Sequence, residues 1–196
     1  DGRFVLVPDL GIDIVLVHAL DAEKATIEPK SGGVVAPGSG PRHIAFTKNG
    51  RRAYVINELA LTVTGFDFDT EAGTLIPFQT ASTIPEAITD REGFSTAEIV
   101  IHPSGRFLYG SNRGHHSIAM FAINQDNGEL TLLGVEPIRG KTPRNFTVSP
   151  DGRWLLAAGQ DSDTVTVFAI DGDTGRLEFT GQTVRVPKPV CICFDR

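Results

Sequence analysis

A Gly-Arg dipeptide recurs at Gly2-Arg3, Gly50-Arg51, Gly105-Arg106 and Gly152-Arg153, at intervals of 48, 55 and 47 residues. A repeat of this period constrains the fold tightly, because each copy is one supersecondary unit that buries its apolar face only against its neighbours. The likeness runs well past the dipeptide. PRHIAFTKNGRRAYVINELALTVTGFDFDTEAGTL corresponds to TAEIVIHPSGRFLYGSNRGHHSIAMFAINQDNGEL and to PRNFTVSPDGRWLLAAGQDSDTVTVFAIDGDTGRL. Each unit divides into four short strands. The first (Ile44-Ala45-Phe46, Ile99-Val100-Ile101, Phe146-Thr147-Val148) enters an NG, PSG or PDG turn, whose glycine supplies the positive φ of a hairpin. The second covers Ala53 to Ile56, Phe107 to Tyr109 and Trp154 to Ala157. The third alternates with period two, as in Val165, Val167 and Ala169. A second turn (EAGTL, DNGEL, DTGRL) leads to a more polar fourth strand. The 21 Gly and 12 Pro suit so many turns, and the 3.6-residue period of a stacked helical repeat is absent. The expected fold is all-β, a β-propeller of four-stranded antiparallel blades.

The opening DGRFVLVPDLGIDIVLVHAL matches the unit from its middle onward, and the closing PKPVCICF matches only its beginning. The expected blade remnants are therefore about 1–40, 41–94, 95–141 and 142–186, with a closing strand over 187–196. That strand could complete the opening blade and close a four-bladed ring. The preferred reading is a larger ring with more blades upstream, because the break falls in mid-motif. Left open, either end exposes apolar faces or unpaired strand edges.

A net charge of −6 argues against a general nucleic-acid binder, which needs a basic footprint. No apolar run approaches the roughly 18 residues of a membrane span, and no secretory leader opens the chain. Cys191 and Cys193, alternate residues of the expected closing strand, should share one face as buried free thiols rather than a disulfide. A reducing, cytoplasmic compartment is expected on that ground.

Antiparallel order sorts the loops onto two faces. The first-to-second and third-to-fourth turns share one, where the repeated Arg3, Arg51, Arg106 and Arg153 read as architecture. Second-to-third loops and blade connections share the other, where polar residues differ from blade to blade. Arg42, His43, Glu98, Lys141, Arg144 and Lys188 come from the connections. Asp9, Asn57-Glu58, Asn112-Arg113, His115-His116 and Gln160-Asp161 come from the loops. This is the local basic patch an acidic protein needs to hold an anion; a solvated rim without ligand is the alternative. The longest interval places the extra stretch IPEAITDREGF on this face as a rim or lid. Glu58 reads either as a general base or as an ion-pair partner of a rim arginine. Arg113 suits a bidentate grip on carboxylate or phosphate, or an oxyanion. His102 and His18 read as structural, and His115-His116 as rim residues, since adjacent residues on one loop seldom ligate one ion. No zinc spacing, nucleophile elbow or phosphate loop occurs, so neither metal nor organic cofactor is expected.

GPRHIAF, YVINEL, STAEIVIHPSGRFLYGSNRGHHSI, TPRNFTVSPDGRWLLAAGQDSDTVTVF and VPKPVCICF together resemble the lactonase family of seven-bladed propellers. That family includes one type of bacterial 6-phosphogluconolactonase and is related to fungal carboxymuconate lactonizing enzymes. The resemblance implies that the chain is a C-terminal portion, with about four of seven blades and the missing N-terminal blades upstream. By motif it implies an active site containing Arg42, Glu58 and Arg113, with a family histidine that would lie upstream of Asp1. His43, Glu98, Asn112, Asp9 and Lys188 are expected to bind substrate around them. One departure is Gly159, where the family has an asparagine. The implied activity is hydrolysis of a small anionic sugar lactone, with 6-phosphogluconolactone of the pentose phosphate pathway favoured. The alternatives are a muconate-type cyclase and a non-catalytic binding propeller.

Overall fold

Turn glycines and apolar alternation produce fifteen strands and no helix among residues 2–195, the part of the chain that the computed structural model describes. No helix there is long and apolar enough to cross a membrane. The first sheet has three strands, β1 (Phe4–Asp9), β2 (Ile14–Asp21) and β3 (Thr26–Val34). The second is β4 (Pro41–Phe46), β5 (Arg52–Asn57), β6 (Thr62–Asp69) and β7 (Thr74–Ser82). The third is β8 (Ser95–Ile101), β9 (Phe107–Arg113), β10 (Ser117–Ile123) and β11 (Leu130–Pro137). The fourth is β12 (Pro143–Val148), β13 (Trp154–Gly159), β14 (Thr164–Ile170) and β15 (Leu177–Arg185). Every ladder is antiparallel and joins consecutive strands. This is an all-β propeller architecture.

The cores lie between sheets rather than within them. Val15, Val17 and Val35 meet Ala53, Val55, Phe66 and Phe68 between the first two sheets. Tyr54, Ile56 and Val63 meet Ile99, Leu108 and Phe121 at the next junction. Tyr109, Ile118 and Met120 meet Phe146, Leu155 and Phe168 at the last. A middle blade thus buries both faces, which is why β9 and β10 are apolar or small almost throughout.

Blade spacing is fixed by a contact repeated at each junction. The residue after each Gly-Arg dipeptide covers a turn glycine of the next blade: Phe4 on Gly73, Arg52 on Gly128, Phe107 on Gly175. Those glycines have φ of +67°, +80° and +71°, so they are needed both for conformation and for the close approach. Beneath them, Tyr54 Oη donates to Gly128 O at 2.7 Å and Tyr109 Oη to Gly175 O at 2.9 Å. Burial pushes the Tyr54 phenol up to about 12, so it stays a donor. Arg3 pairs with Glu71, and Arg106 donates to Gly172 O, each across a junction. His102, as expected, is structural: it is buried, with Nε2 2.8 Å from Gly152 O of the next blade.

Three expectations are corrected. The Arg51 side chain meets no partner among the described residues; Arg52 instead reaches Asp126 O, at 3.0 Å, while its aliphatic stem covers Gly128. Residues 187–195 join no sheet, so the closing strand is not formed among the described residues and the first sheet keeps three strands. Asp1 and Arg196, the outer limits of the expected first remnant and closing strand, lie outside the described residues. Cys191 and Cys193 are exposed rather than buried, with sulfurs 3.7 Å apart, in a segment that joins no sheet.

Candidate functional site

The second-to-third loops are built alike in all four blades, and that regularity separates scaffold from site. Each loop ends on a non-glycine residue with positive φ: Asp13, Leu61, His116 and Asp163. The carbonyl of each accepts the N–H of the residue just past the blade's outer strand: Val35, Thr83, Ile138 and Val186. His116 therefore occupies a structural position. Its Nδ1 accepts the Thr142 N–H, and burial, with Lys141 nearby, pushes its protonation to lower pH. His115 is likewise lowered by burial; it contacts Ser117 Oγ through Nδ1 and the Phe94 ring edge-on. The extra stretch before Ser95 is thus held down at both ends, by buried Ile84 and by Phe94 on His115.

At the mouth, β4, β8 and β12 lie side by side, and each carries a bulge near its start, at Arg42, at 97–98 and at Arg144. A bulge sets two residues against one and re-aims side chains. Arg42 and His43, though consecutive, consequently both reach β8. Arg42 Nε donates to Ala97 O at 3.1 Å, and His43 Nδ1 lies 2.9 Å from Glu98 Oε1. Arg113, at the end of β9, donates from Nη2 to Thr96 O at 2.9 Å. The start of β8 is thus the backplate for three side chains from two other strands.

Glu58 follows β5 and is anchored by its N–H on Gly40 O at 2.6 Å. Its two carboxylate oxygens face different cations, Oε2 to Arg42 Nη1 at 3.0 Å and Oε1 to Arg113 Nη2 at 2.6 Å. The three side chains are only 20%, 17% and 15% exposed for Arg42, Glu58 and Arg113. Of the two sequence readings for Glu58, the ion pair is the one present, and it is doubled. The triad carries one net positive charge in a partly dry place, where a charge couples strongly to its neighbours. Arg113 Nε is buried with no hydrogen-bond partner among the described residues.

Beside the triad, Glu98 is held from all sides. Oε1 accepts from Ile99 N–H at 3.0 Å as well as facing His43, and Oε2 accepts from Asn145 Nδ2 at 2.6 Å. Asn145 Oδ1 in turn accepts Ile192 N–H at 2.8 Å. The sequence places Asn145 on this face in the third blade connection but not among the expected site residues, although it occupies in the third unit the position of His43 and Glu98 in the first two. The remaining candidates stay outside this cluster. Asn112 is fully buried; its Nδ2 donates to Ser117 Oγ across its own hairpin and to Thr83 O just past β7 of the preceding blade, and its Oδ1 has no partner among the described residues. Asp9 accepts Gly11 N–H in its own turn. Lys188 contacts Asp161 at 3.4 Å in the fourth blade. Among the described residues, no cluster of three or more His, Cys, Asp or Glu side chains is placed to hold a metal ion.

The arrangement is what attack on an ester-like carbonyl needs: fixed cationic donors for developing negative charge, and a half-exposed imidazole oriented by a carboxylate. Residues 1–194 match the family model for "Lactonase, 7-bladed beta-propeller". A protein named 6-phosphogluconolactonase from Bacillus subtilis is 38% identical over 195 residues, 99% of this chain and 54% of the relative. Another of that name, from Formosa agariphila, is 38% identical over 152 residues, 74% of this chain and 41% of its own. The crystal structure of the periplasmic gluconolactonase of Pseudomonas aeruginosa superposes with a TM-score of 0.89 at 34% identity, over 96% of this chain and 53% of that one. A Lactobacillus plantarum protein gives 0.90 at 32% identity, over 96% and 54%. The chain thus spans about half the length of the relatives it matches. With the family model matched over residues 1–194 and four-stranded antiparallel blades repeated along the chain, the chain belongs to the seven-bladed β-propeller lactonase family.

Proposed function

We propose that the protein carrying this chain hydrolyses a sugar-derived δ-lactone, with 6-phosphogluconolactone as the substrate, at the mouth where Arg42, Glu58 and Arg113 meet. The observation that supports this most is the carboxylate shared by two guanidiniums, which fixes both cations in place before any ligand arrives. One arginine binds the phosphate and the other the oxyanion formed when water adds to the lactone carbonyl. Glu58 positions both, since each of its oxygens is already engaged. The reading includes further blades upstream of Asp1 that complete the ring, and a cytoplasmic location. The related cyclase chemistry would use the same cations on a dicarboxylate. The test is a pair of assays on the purified protein: acid release from 6-phosphogluconolactone in a pH-stat, and ultraviolet loss of a muconate. Lactone opening well above the spontaneous rate, with no muconate loss, is expected. Muconate turnover alone would support the cyclase, and inactivity in both would leave a binding propeller.

A further inference from the structure

Resting on that reading, we infer that His43, oriented by Glu98, is the general base that takes the proton from the attacking water. Glu58 is the weaker candidate, because Arg42 and Arg113 each already pair with one of its oxygens. His43 differs in every respect that matters. A carboxylate only accepts hydrogen bonds, so the 2.9 Å contact with Glu98 Oε1 places the proton on His43 Nδ1. The neutral ring then presents Nε2 as a lone-pair acceptor. The side chain is 41% exposed, so water reaches the ring, while its partner Glu98 is only 16% exposed. Glu98 is itself fixed by Ile99 N–H and Asn145 Nδ2, so the imidazole is aimed by a rigid carboxylate. This is the orienter–base arrangement that general-base catalysis requires. The bulge at Arg42 sets this base beside the cation that would receive the oxyanion.

The step balances without any other reactant. Water oxygen bonds to the lactone carbonyl carbon as its proton moves to His43 Nε2. The carbonyl becomes an oxyanion facing the guanidiniums. Collapse breaks the bond to the ring oxygen, which takes the proton back from the imidazolium, and the new carboxylic acid loses its proton to solvent. Glu98 stabilises the transient imidazolium. The other charged or titratable groups near this ring are Arg42 on the same strand, Glu58 and Arg113 in the triad, and the Cys191 thiol, which feels the Glu98 charge; Asn145 on β12 is neutral.

The experiment is the pH profile of lactone opening for wild type, His43→Gln, Glu98→Gln and His43→Ala with added imidazole. In His43→Gln, kcat should fall at least about a hundredfold with KM little changed, and the acid limb of kcat/KM should vanish. In Glu98→Gln, kcat should fall with KM little changed, because the ring loses the carboxylate that fixes its tautomer and steadies the imidazolium. Imidazole should restore part of the His43→Ala rate, an effect that a purely structural role would not produce. If wild type is active and His43→Gln keeps its turnover and its acid limb, the base assignment is overturned while the lactonase reading stands. A wild type that opens no lactone overturns both.

Discussion

Replacing Arg113 with alanine should lower kcat/KM for lactone opening by at least about a hundredfold, the order of cost of losing one fixed donor to a charged substrate oxygen. The size follows from what the substitution leaves behind. Arg113 is tied at Nη2 to both Thr96 O and Glu58 Oε1. Without it Glu58 has a free oxygen and only Arg42 opposite, so the triad goes from one net positive charge to none. The cluster then loses its excess attraction for an anion, and Arg42 is free to swing toward the unshared carboxylate. Turnover should fall more than affinity if Arg113 meets the oxyanion, and KM should rise more than kcat falls if it meets the phosphate. Steady-state kinetics on the phosphorylated and unphosphorylated lactones separate the two, since only the first carries the phosphate. Thermal unfolding of the variant guards against a trivial loss of fold.

The largest effect on stability should come from Gly175→Ala. Its φ of +71° costs an alanine about 1 kcal/mol. The new methyl would also fall inside contact distance of the Phe107 ring, part of the preceding blade's core. Phe107 is buried and cannot swing clear, so overpacking adds about 1–3 kcal/mol. Gly181→Ala is the control: its φ is +82°, but nothing lies within 4 Å of the added carbon. It should cost only about 1 kcal/mol, the backbone penalty alone. Urea unfolding midpoints of the two variants should therefore separate clearly. Equal midpoints would mean that the Phe107–Gly175 contact does not hold the blades together.

These two regions also show how far the residues alone could lead. The three sheets with four strands follow from hairpin order, which also brings Arg42, Glu58 and Arg113 to one face. The same order puts Asp9, Asn112 and Lys188 there, and these stay apart from the triad; the family resemblance, rather than hairpin order, singles out the three that meet. What hairpin order does not carry is local backbone irregularity. Strict alternation would send Arg42 and His43 to opposite sides; the bulge that sends both to β8 arises from the fit of β4 against β5. The hairpin-face arginines mislead for a similar reason. The dipeptide draws attention to Arg51, but the contact with the next blade falls one residue later, where Arg52 stands in place of an aromatic ring. The last segment depends on a partner edge, and pairing of that kind is nonlocal. Trp154, 38% exposed at the position where Phe107 is buried, marks the same limit.

On the proposed function, Arg42 and Arg113 act as one site through Glu58. A double-mutant cycle of Arg42→Ala and Arg113→Ala in kcat/KM for 6-phosphogluconolactone tests this coupling. Strong coupling is expected, with the double variant little worse than the weaker single one. Losses that simply multiply would contradict it, since two independent cations would not need the carboxylate between them.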